Sequence, residues 1–167
     1  MRRVVVTGMS AITALGHNWQ DFESNLRKKV NAVQVDEQLK SIDGLNTHLS
    51  APILDFVKPA HYTRKQVRSM GRVSLMATTA TEAALTDAKL LKEEHFKSGR
   101  MGVAYGSSIG STEPIVAFGD LLKTGNMQGV TATSYIKMMS HTTAVNIGVF
   151  FGISGRVYTT SSACTSA

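Results

Sequence analysis

The stretch VYTTSSACTSA, residues 157–167, joins a β-branched run to a cluster of small residues around the only cysteine of the chain, Cys164. The run at residues 157–160 predicts a strand, because β-branched and aromatic side chains fit a pleated sheet. The small residues that follow predict a sharp turn, since a turn that exposes a nucleophile leaves no room for bulk. We therefore expect Cys164 just after the carboxyl end of a strand.

A lone cysteine has two interpretations. Among small residues it is more often a buried apolar side chain than a nucleophile. Its position after a predicted strand favours the nucleophile, because a helix starting there would present its positive end to the thiol. A helix N-terminus lowers the pKa of a thiol and offers backbone N–H groups to an oxyanion. This interpretation requires a helix that continues beyond Ala167.

The rest of the chain alternates between strand and helix patterns. Strands are predicted at residues 4–7, 51–54 and 101–105, and helices at residues 19–30, 69–91 and 135–151. The β-branched run at residues 4–7 has no polar face, which predicts a fully buried first strand. GSSIGSTEP, residues 106–114, follows a predicted strand, and Pro114 favours a helix start. The alternation indicates one layered α/β unit.

Composition excludes several classes of protein. The 43% hydrophobic and 18% charged residues indicate a folded chain. One cysteine cannot form an internal disulfide, so we expect a cytoplasmic protein. Polar residues interrupt the apolar start of the chain, which argues against a signal peptide. No stretch approaches the ~20 apolar residues of a membrane span, so no membrane partner is predicted.

The net charge of +6 suits an acidic partner. The basic residues are scattered, and aromatic residues do not alternate with them as a stacking platform for bases requires. No nucleic-acid partner is therefore predicted.

The glycine-rich turns do not match nucleotide sites. Gly8 is followed by Met9 and Ser10 where a dinucleotide fold has a second glycine, and residues 106–111 lack the lysine of a phosphate loop. The histidines show no metal-ligand spacing and have no second cysteine to join them: His17, His48, His61, His95 and His141. We expect His141 to be a structural residue in a buried helix. No cofactor and no metal are predicted.

Four stretches together resemble the elongating β-ketoacyl-acyl-carrier-protein synthases of the type I/II kind. They are RRVVVTGMSAITALG at 2–16, YTRKQVRSMGRVSLMA at 62–77, GVAYGSSIGSTEP at 102–114 and TSSACTSA at 160–167. They follow the family's order and spacing over nearly the whole chain. The cysteine excludes the chain-length-factor subunit, which lacks it. The resemblance implies a thiolase-like layered α-β-α-β-α fold, built from two similar halves and assembled as a homodimer.

The resemblance also implies roles for individual residues. Cys164 matches the nucleophile that accepts an acyl group from acyl carrier protein. Lys65 and Arg68 match basic residues that dock the acidic carrier, while Ser69 stands where the family often has another lysine. Ile109 matches a residue that lines the acyl pocket.

The implied reaction is acyl transfer to Cys164, decarboxylation of malonyl carrier protein, and Claisen condensation. In the family, two histidines, a lysine and one oxyanion-hole amide come from the second half, and no histidine of residues 1–167 matches those motifs. We therefore expect residues 1–167 to be the N-terminal ketosynthase region, incomplete without a C-terminal half and inactive alone.

Two alternatives remain open. One is a non-catalytic module that binds the carrier or assembles with a synthase, and a partner chain supplying two histidines beside Cys164 would argue against it. The other is a thiolase or an acetyl-CoA-priming synthase on the same fold, which would use coenzyme A. The basic stretch at residues 64–68 favours the carrier protein.

Overall fold

The computed structural model describes residues 3–166, and that part of the chain contains eight α-helices and four strands. The helices are α1 (Trp19–Arg27), α2 (Glu37–Lys40), α3 (Arg64–Val67), α4 (Arg72–Asp87), α5 (Glu93–Lys97), α6 (Thr112–Thr124), α7 (Ser134–Met138) and α8 (Thr142–Phe151). The strands are β1 (Gln34–Val35), β2 (Leu49–Ser50), β3 (Val103–Tyr105) and β4 (Val157–Thr159), and a 3₁₀ turn covers Ala163–Thr165.

The chain divides into two compact units. The smaller unit comprises residues 9–57, and the larger unit comprises residues 1–8 and 58–167. In the smaller unit, β1 and β2 pair antiparallel. Asp36 caps α2 and accepts a 2.8 Å hydrogen bond from the Ser50 hydroxyl, which lowers the pKa of that carboxyl group. The strand predicted at 51–54 is wrong in position, since the pairing ends at Ser50.

The larger unit is built on a parallel pair of strands. Val103 of β3 lies opposite Val157 of β4, and Tyr105 lies opposite Thr159. Helix α8 contacts both strands and α4. The core of this unit consists of Ala77, Val103, Ala144 and Ile147. The strands predicted at 101–105 and 157–160 are therefore confirmed, as are the helices at 19–30 and 69–91 apart from their ends.

The buried first strand predicted at residues 4–7 is wrong. Val4 is 97% exposed and Val6 78% exposed, and no described residue pairs with this segment. A β-branched run forms a strand only where a neighbouring strand can satisfy its backbone. Gly8, which follows, lies against α4, where a Cβ atom would overlap the carbonyl oxygen of Ala84.

The single helix predicted at 135–151 is also wrong, because α7 and α8 are separate. Met139 is extended, with φ −82° and ψ 131°. The Thr142 hydroxyl donates to the carbonyl oxygens of Ile136 and Met139, at 2.6 and 2.7 Å, and so satisfies groups at the end of α7. His141 is the exposed residue preceding α8, which corrects its expected place in a buried helix.

A polar network joins α4, α8 and Ser69, the second residue after α3. The Ser69 hydroxyl donates to Asn146 Oδ1 at 2.8 Å, and Asn146 Nδ2 donates to Ser74 Oγ at 3.2 Å. Ser74 Oγ donates in turn to Thr143 Oγ1 at 3.4 Å. Ser69 thus links the basic stretch at residues 64–68 to the core.

None of the helices in residues 3–166 combines the length and apolar character needed to span a membrane.

Candidate functional site

Two loops meet at one edge of the sheet in the larger unit. Since β3 and β4 are parallel, their carboxyl ends lie at the same edge. The glycine-rich loop at residues 106–111 follows β3, and the loop at residues 160–166, which carries Cys164, follows β4. In open α/β sheets, ligand sites form at the carboxyl ends of strands.

The two loops are held together by one hydrogen bond and one close backbone approach. The Ser108 hydroxyl donates to the carbonyl oxygen of Ala163 at 2.6 Å. A Cβ atom on Gly106 would overlap the carbonyl oxygen of Ser166, so only glycine fits at this position. Glycine at 106 thus lets the β3 loop approach the residues around Cys164.

The backbone is strained immediately before the cysteine. Ala163 has φ +54°, in the left-handed region that non-glycine residues rarely adopt. Such a conformation costs on the order of 1 kcal/mol and clusters at functional sites. Three hydrogen bonds converge on the Ala163 carbonyl oxygen: the one from Ser108, one from the Ser166 hydroxyl at 2.7 Å and one from the Ser166 N–H at 3.1 Å.

Cys164 is exposed and follows this strained residue. In α/β-hydrolases a sharp, strained turn after a strand exposes the nucleophile. The described residues after Cys164 complete only a 3₁₀ turn. The helix expected to begin here stays a prediction, because it would extend past the described residues.

Ile109 lies on the loop that contacts the Cys164 loop. Its side chain is 53% exposed, and its carbonyl oxygen accepts a 2.6 Å hydrogen bond from Ser107. The structure brings Ile109 and Cys164 onto neighbouring loops. An exposed apolar side chain in a turn of serines and glycines suits contact with an apolar substrate.

Of the predicted docking residues, Lys65 lies on the short helix α3 and Arg68 directly follows it. Thr63 and Gln66 form a capping box at its start, and Lys65 and Arg68 are exposed. The segment before the helix is anchored by Tyr62, which is 2% exposed and donates a 3.0 Å hydrogen bond to Glu82. Burial raises the pKa of Tyr62. The cations of α3 are therefore presented from a fixed position.

Sequence patterns missed one cation near these residues. Lys137 of α7 lines the same cleft as Arg64 and Arg68. It was missed because it lies far along the chain, and only the packing of α7 brings it close. The glycines of the β3 loop were a signal for close contacts, since Gly106 lies against the Ser166 backbone and Gly110 lies against the backbone of Lys137 and Met138.

Two of the histidine side chains lie beside carboxylates. His17 pairs with Asp55 at 3.2 Å within the smaller unit, and His61 pairs with Glu82 at 3.0 Å in the larger one. Across residues 3–166, no group of three or more His, Cys, Asp or Glu side chains is placed to hold a metal ion.

Comparison with known proteins points to one family. Residues 1–167 match the family described as "Beta-ketoacyl synthase, N-terminal domain". A crystal structure of a β-ketoacyl synthase from Burkholderia phymatum STM815 superposes over 99% of this chain and 41% of its own, with a TM-score of 0.92 and 51% identity.

A more distant relative and a second solved structure are also similar to this chain. The 3-oxoacyl-[acyl-carrier-protein] synthase 1 of Escherichia coli strain K12 is 28% identical over 100% of this chain. The structure of the ishigamide ketosynthase/chain length factor shares the fold, with a TM-score of 0.74 and 20% identity over 95% of this chain and 39% of its own. These likenesses confirm the predicted α/β, thiolase-like fold. The chain spans 41% of the length of the E. coli relative and corresponds to its N-terminal part.

Proposed function

Because the chain belongs to the β-ketoacyl synthase family, we propose that it is the N-terminal region of a 3-oxoacyl-[acyl-carrier-protein] synthase that elongates acyl chains through Cys164. The E. coli and Buchnera relatives carry that enzyme's name. The substrates are an acyl thioester and malonyl thioester on acyl carrier protein, in fatty-acid or polyene biosynthesis.

The observation that carries the proposal is the geometry around Cys164. An exposed thiol follows a residue with φ +54°, in a loop fastened to the end of a parallel strand pair. This arrangement suits a nucleophile, which must be reachable and fixed in place. A structural cysteine has no need of strain or exposure.

The chemistry proceeds through a covalent intermediate. The Cys164 sulfur attacks the acyl thioester carbonyl, and the carrier's thiol leaves with the proton. Malonyl carrier protein then loses carbon dioxide, and the electron pair of the broken bond forms a carbanion beside its thioester carbonyl. That carbanion attacks acyl-Cys164 and expels the Cys164 thiolate. The product is a 3-oxoacyl carrier protein two carbons longer.

Residues on both loops and on α3 support the substrates. Ile109 contributes to the wall of the acyl pocket, and Lys65 and Arg68 dock the acidic carrier protein. The support for these roles is the position of Ile109 on the loop bonded to the Cys164 loop, and the exposure of both cations on an anchored helix.

The remaining machinery is proposed to lie outside residues 1–167. His17 and His61 lie beside carboxylates, and no histidine of residues 1–167 matches the family's motifs. We therefore assign the two histidines that assist decarboxylation to a C-terminal half. Residues 1–167 then form one N-terminal ketosynthase region that is inactive alone. The complete enzyme is proposed to be a cytoplasmic homodimer, and the single cysteine agrees with a reducing compartment.

The proposal is tested by condensation assays with acyl and malonyl carrier protein. The full-length protein should form the 3-oxoacyl product, while Cys164→Ala and residues 1–167 alone should not. Condensation by residues 1–167 alone would contradict the assignment of the histidines. Carrier binding without acylation in the full-length protein would favour the non-catalytic assembly module instead.

A further inference from the structure

A cationic cleft lies between α3 and the start of α7 in the larger unit. Arg64 and Arg68 are four residues apart and so share one face of the α3 segment. Lys137 faces the same cavity from α7, and the cavity has a volume of about 530 Å³. Docking by Lys65 and Arg68 does not explain why Arg64 and Lys137 converge here.

The positive charge of the cleft has no counter-charge in the described protein. None of the residues lining the cavity is acidic. Within residues 3–166, no carboxylate oxygen lies within 4.0 Å of the charged nitrogens of Arg64, Arg68 or Lys137. Three cations around one cavity repel one another, so an anion bound between them is stabilised.

Lys137 is held in place by its backbone. Its N–H donates to the carbonyl oxygen of Thr133 at 3.0 Å, and its own carbonyl oxygen accepts from the Ser111 N–H at 2.9 Å. Lys137 is half-buried and lines the cavity. Its backbone bonds thus fix the point from which the side chain enters the cleft.

Threonine hydroxyls add neutral donors to the same cavity. Thr131 and Thr133 both line it. Thr131 Oγ1 lies 3.3 Å from Thr133 Oγ1 and 3.1 Å from Ser134 Oγ. Hydroxyl hydrogens rotate to suit their partners, so these groups can donate to an anion without moving heavy atoms.

We propose that this cleft binds a phosphate group. Two guanidinium groups, one ammonium group and two hydroxyls offer more donors than the two oxygens of one carboxylate can accept. A phosphate ester presents up to three free oxygens and up to two negative charges, and guanidinium binds it in a bidentate way. The phosphate is delivered by a free small molecule or by the prosthetic group of a carrier. The phosphate site itself goes beyond the proposed condensation, and only its assignment to the carrier rests on the proposed function.

The site is tested by calorimetric titration of the full-length protein with pyrophosphate at constant ionic strength. We expect saturation at one site per chain, and at least about tenfold weaker binding in Lys137→Gln, as for loss of one charge-assisted contact. Lys28→Gln, an exposed cation of the smaller unit, is the control and should bind as the unchanged protein does. Arg64→Gln replaces Lys137→Gln if that variant unfolds. A titration that does not saturate, or equal weakening in Lys137→Gln and Lys28→Gln, would overturn the proposal, because attraction to the net charge would then explain binding.

Two further pairs of ligands identify the source of the phosphate. The first pair is coenzyme A and dephospho-coenzyme A. If coenzyme A binds more tightly and this difference disappears in Lys137→Gln, the result supports the site and assigns it to a free phosphomonoester. The second pair is the carrier with and without its phosphate-linked arm. If the carrier with the arm binds more tightly and this difference disappears in Lys137→Gln, the result supports the site and assigns it to the carrier. Acylation of Cys164 with no phosphate binding at all would refute this inference and leave the proposed function standing.

Discussion

The contact between α4 and α8 and the loop that carries Cys164 belong to the same unit but are built in opposite ways. At the first, Ala144 and Ile147 are each 1% exposed and Asn146 is 5% exposed. In the described part of the chain, no buried side-chain nitrogen or oxygen is without a partner. At the second, Cys164 and its neighbours are exposed, and Ala163 is strained.

The difference separates stability from reactivity. The helix contact contributes apolar burial and a satisfied polar network, which stabilise the fold. The Cys164 loop costs stability through strain and is held by a few hydrogen bonds. Substitutions at one region should therefore leave the other unaffected. Three predictions test this separation, and a fourth concerns the pH dependence of stability.

The largest effect is expected from Gly106→Ala. The new Cβ atom would displace the Ser166 backbone and with it the Cys164 loop. A displacement of about 1 Å at a reacting group can slow a reaction ~100-fold, so we expect a loss of that order in the acylation rate of Cys164. The rate is measured by quenched-flow labelling of the full-length protein with acyl carrier protein.

Gly119→Ala is the matched control for that substitution. Nothing lies within 4 Å of a Cβ atom at Gly119, which is within α6. This variant should keep the acylation rate and gain up to about 1 kcal/mol of stability from helix propensity. Equal rates in Gly106→Ala and the unchanged protein would show that the close approach of the two loops does not position Cys164.

Asn146→Ala should reduce stability without altering Cys164. Its side chain joins Ser69 to Ser74, so its removal takes the acceptor from the half-buried Ser69 hydroxyl and one donor from the buried Ser74 hydroxyl. We expect the free energy of unfolding to fall by about 2 kcal/mol, measured by urea denaturation. Asn126→Ala, in an exposed loop, should change it by less than about 0.5 kcal/mol. A slower acylation rate well below the unfolding transition would argue against the separation of the two regions.

Ser108→Ala should have a smaller effect on the site. It removes the hydroxyl that donates to the Ala163 carbonyl oxygen at 2.6 Å. A net contribution of about 1 kcal/mol corresponds to roughly fivefold slower acylation. Ser41→Ala, which also removes a hydroxyl-to-carbonyl bond but in the smaller unit, is the control. Equal rates in both variants would mean that this bond is not needed to hold the loop.

The smallest effect concerns pH and Tyr62. Burial raises the pKa of Tyr62, so the unfolded chain releases this proton at lower pH than the folded chain does. The contribution to stability is complete below pH ~10, the pKa of free tyrosine, and is lost as pH rises through the folded pKa. The urea concentration at the unfolding midpoint should fall as the pH is raised from roughly 9 to 11, and this fall should be shallower in Tyr62→Phe. Exposed Tyr135→Phe should keep the full fall, and an unchanged slope in Tyr62→Phe would refute this explanation.

Local patterns predicted much of the fold for a physical reason. The helix α1 and the strands β3 and β4 follow from residue periodicity and β-branched runs, which depend on nearby residues alone. The run at residues 4–7 has the same local signal as β4 but lacks a paired neighbour among the described residues. The break between α7 and α8 lies at the extended Met139, where the Thr142 hydroxyl bonds to carbonyl oxygens of the preceding turn, and periodicity does not register such bonds.

The site was predicted in part. Sequence and resemblance single out Cys164 and Ile109, whose roles stay predictions, and the parallel pairing explains why they lie on neighbouring loops. The contact between Gly106 and Ser166, the strain at Ala163 and the approach of Lys137 to Arg64 depend on residues far apart in the chain. Only tertiary packing creates them, so no local pattern records them.

The most direct test of the central claim is intact mass spectrometry of the full-length protein after incubation with acyl carrier protein. The proposal predicts a mass increase of one acyl group per chain, located by peptide mapping on Cys164 and absent from Cys164→Ala. An acyl group on another residue, or an unmodified Cys164 in protein that still forms the 3-oxoacyl product, would contradict the claim that Cys164 is the nucleophile.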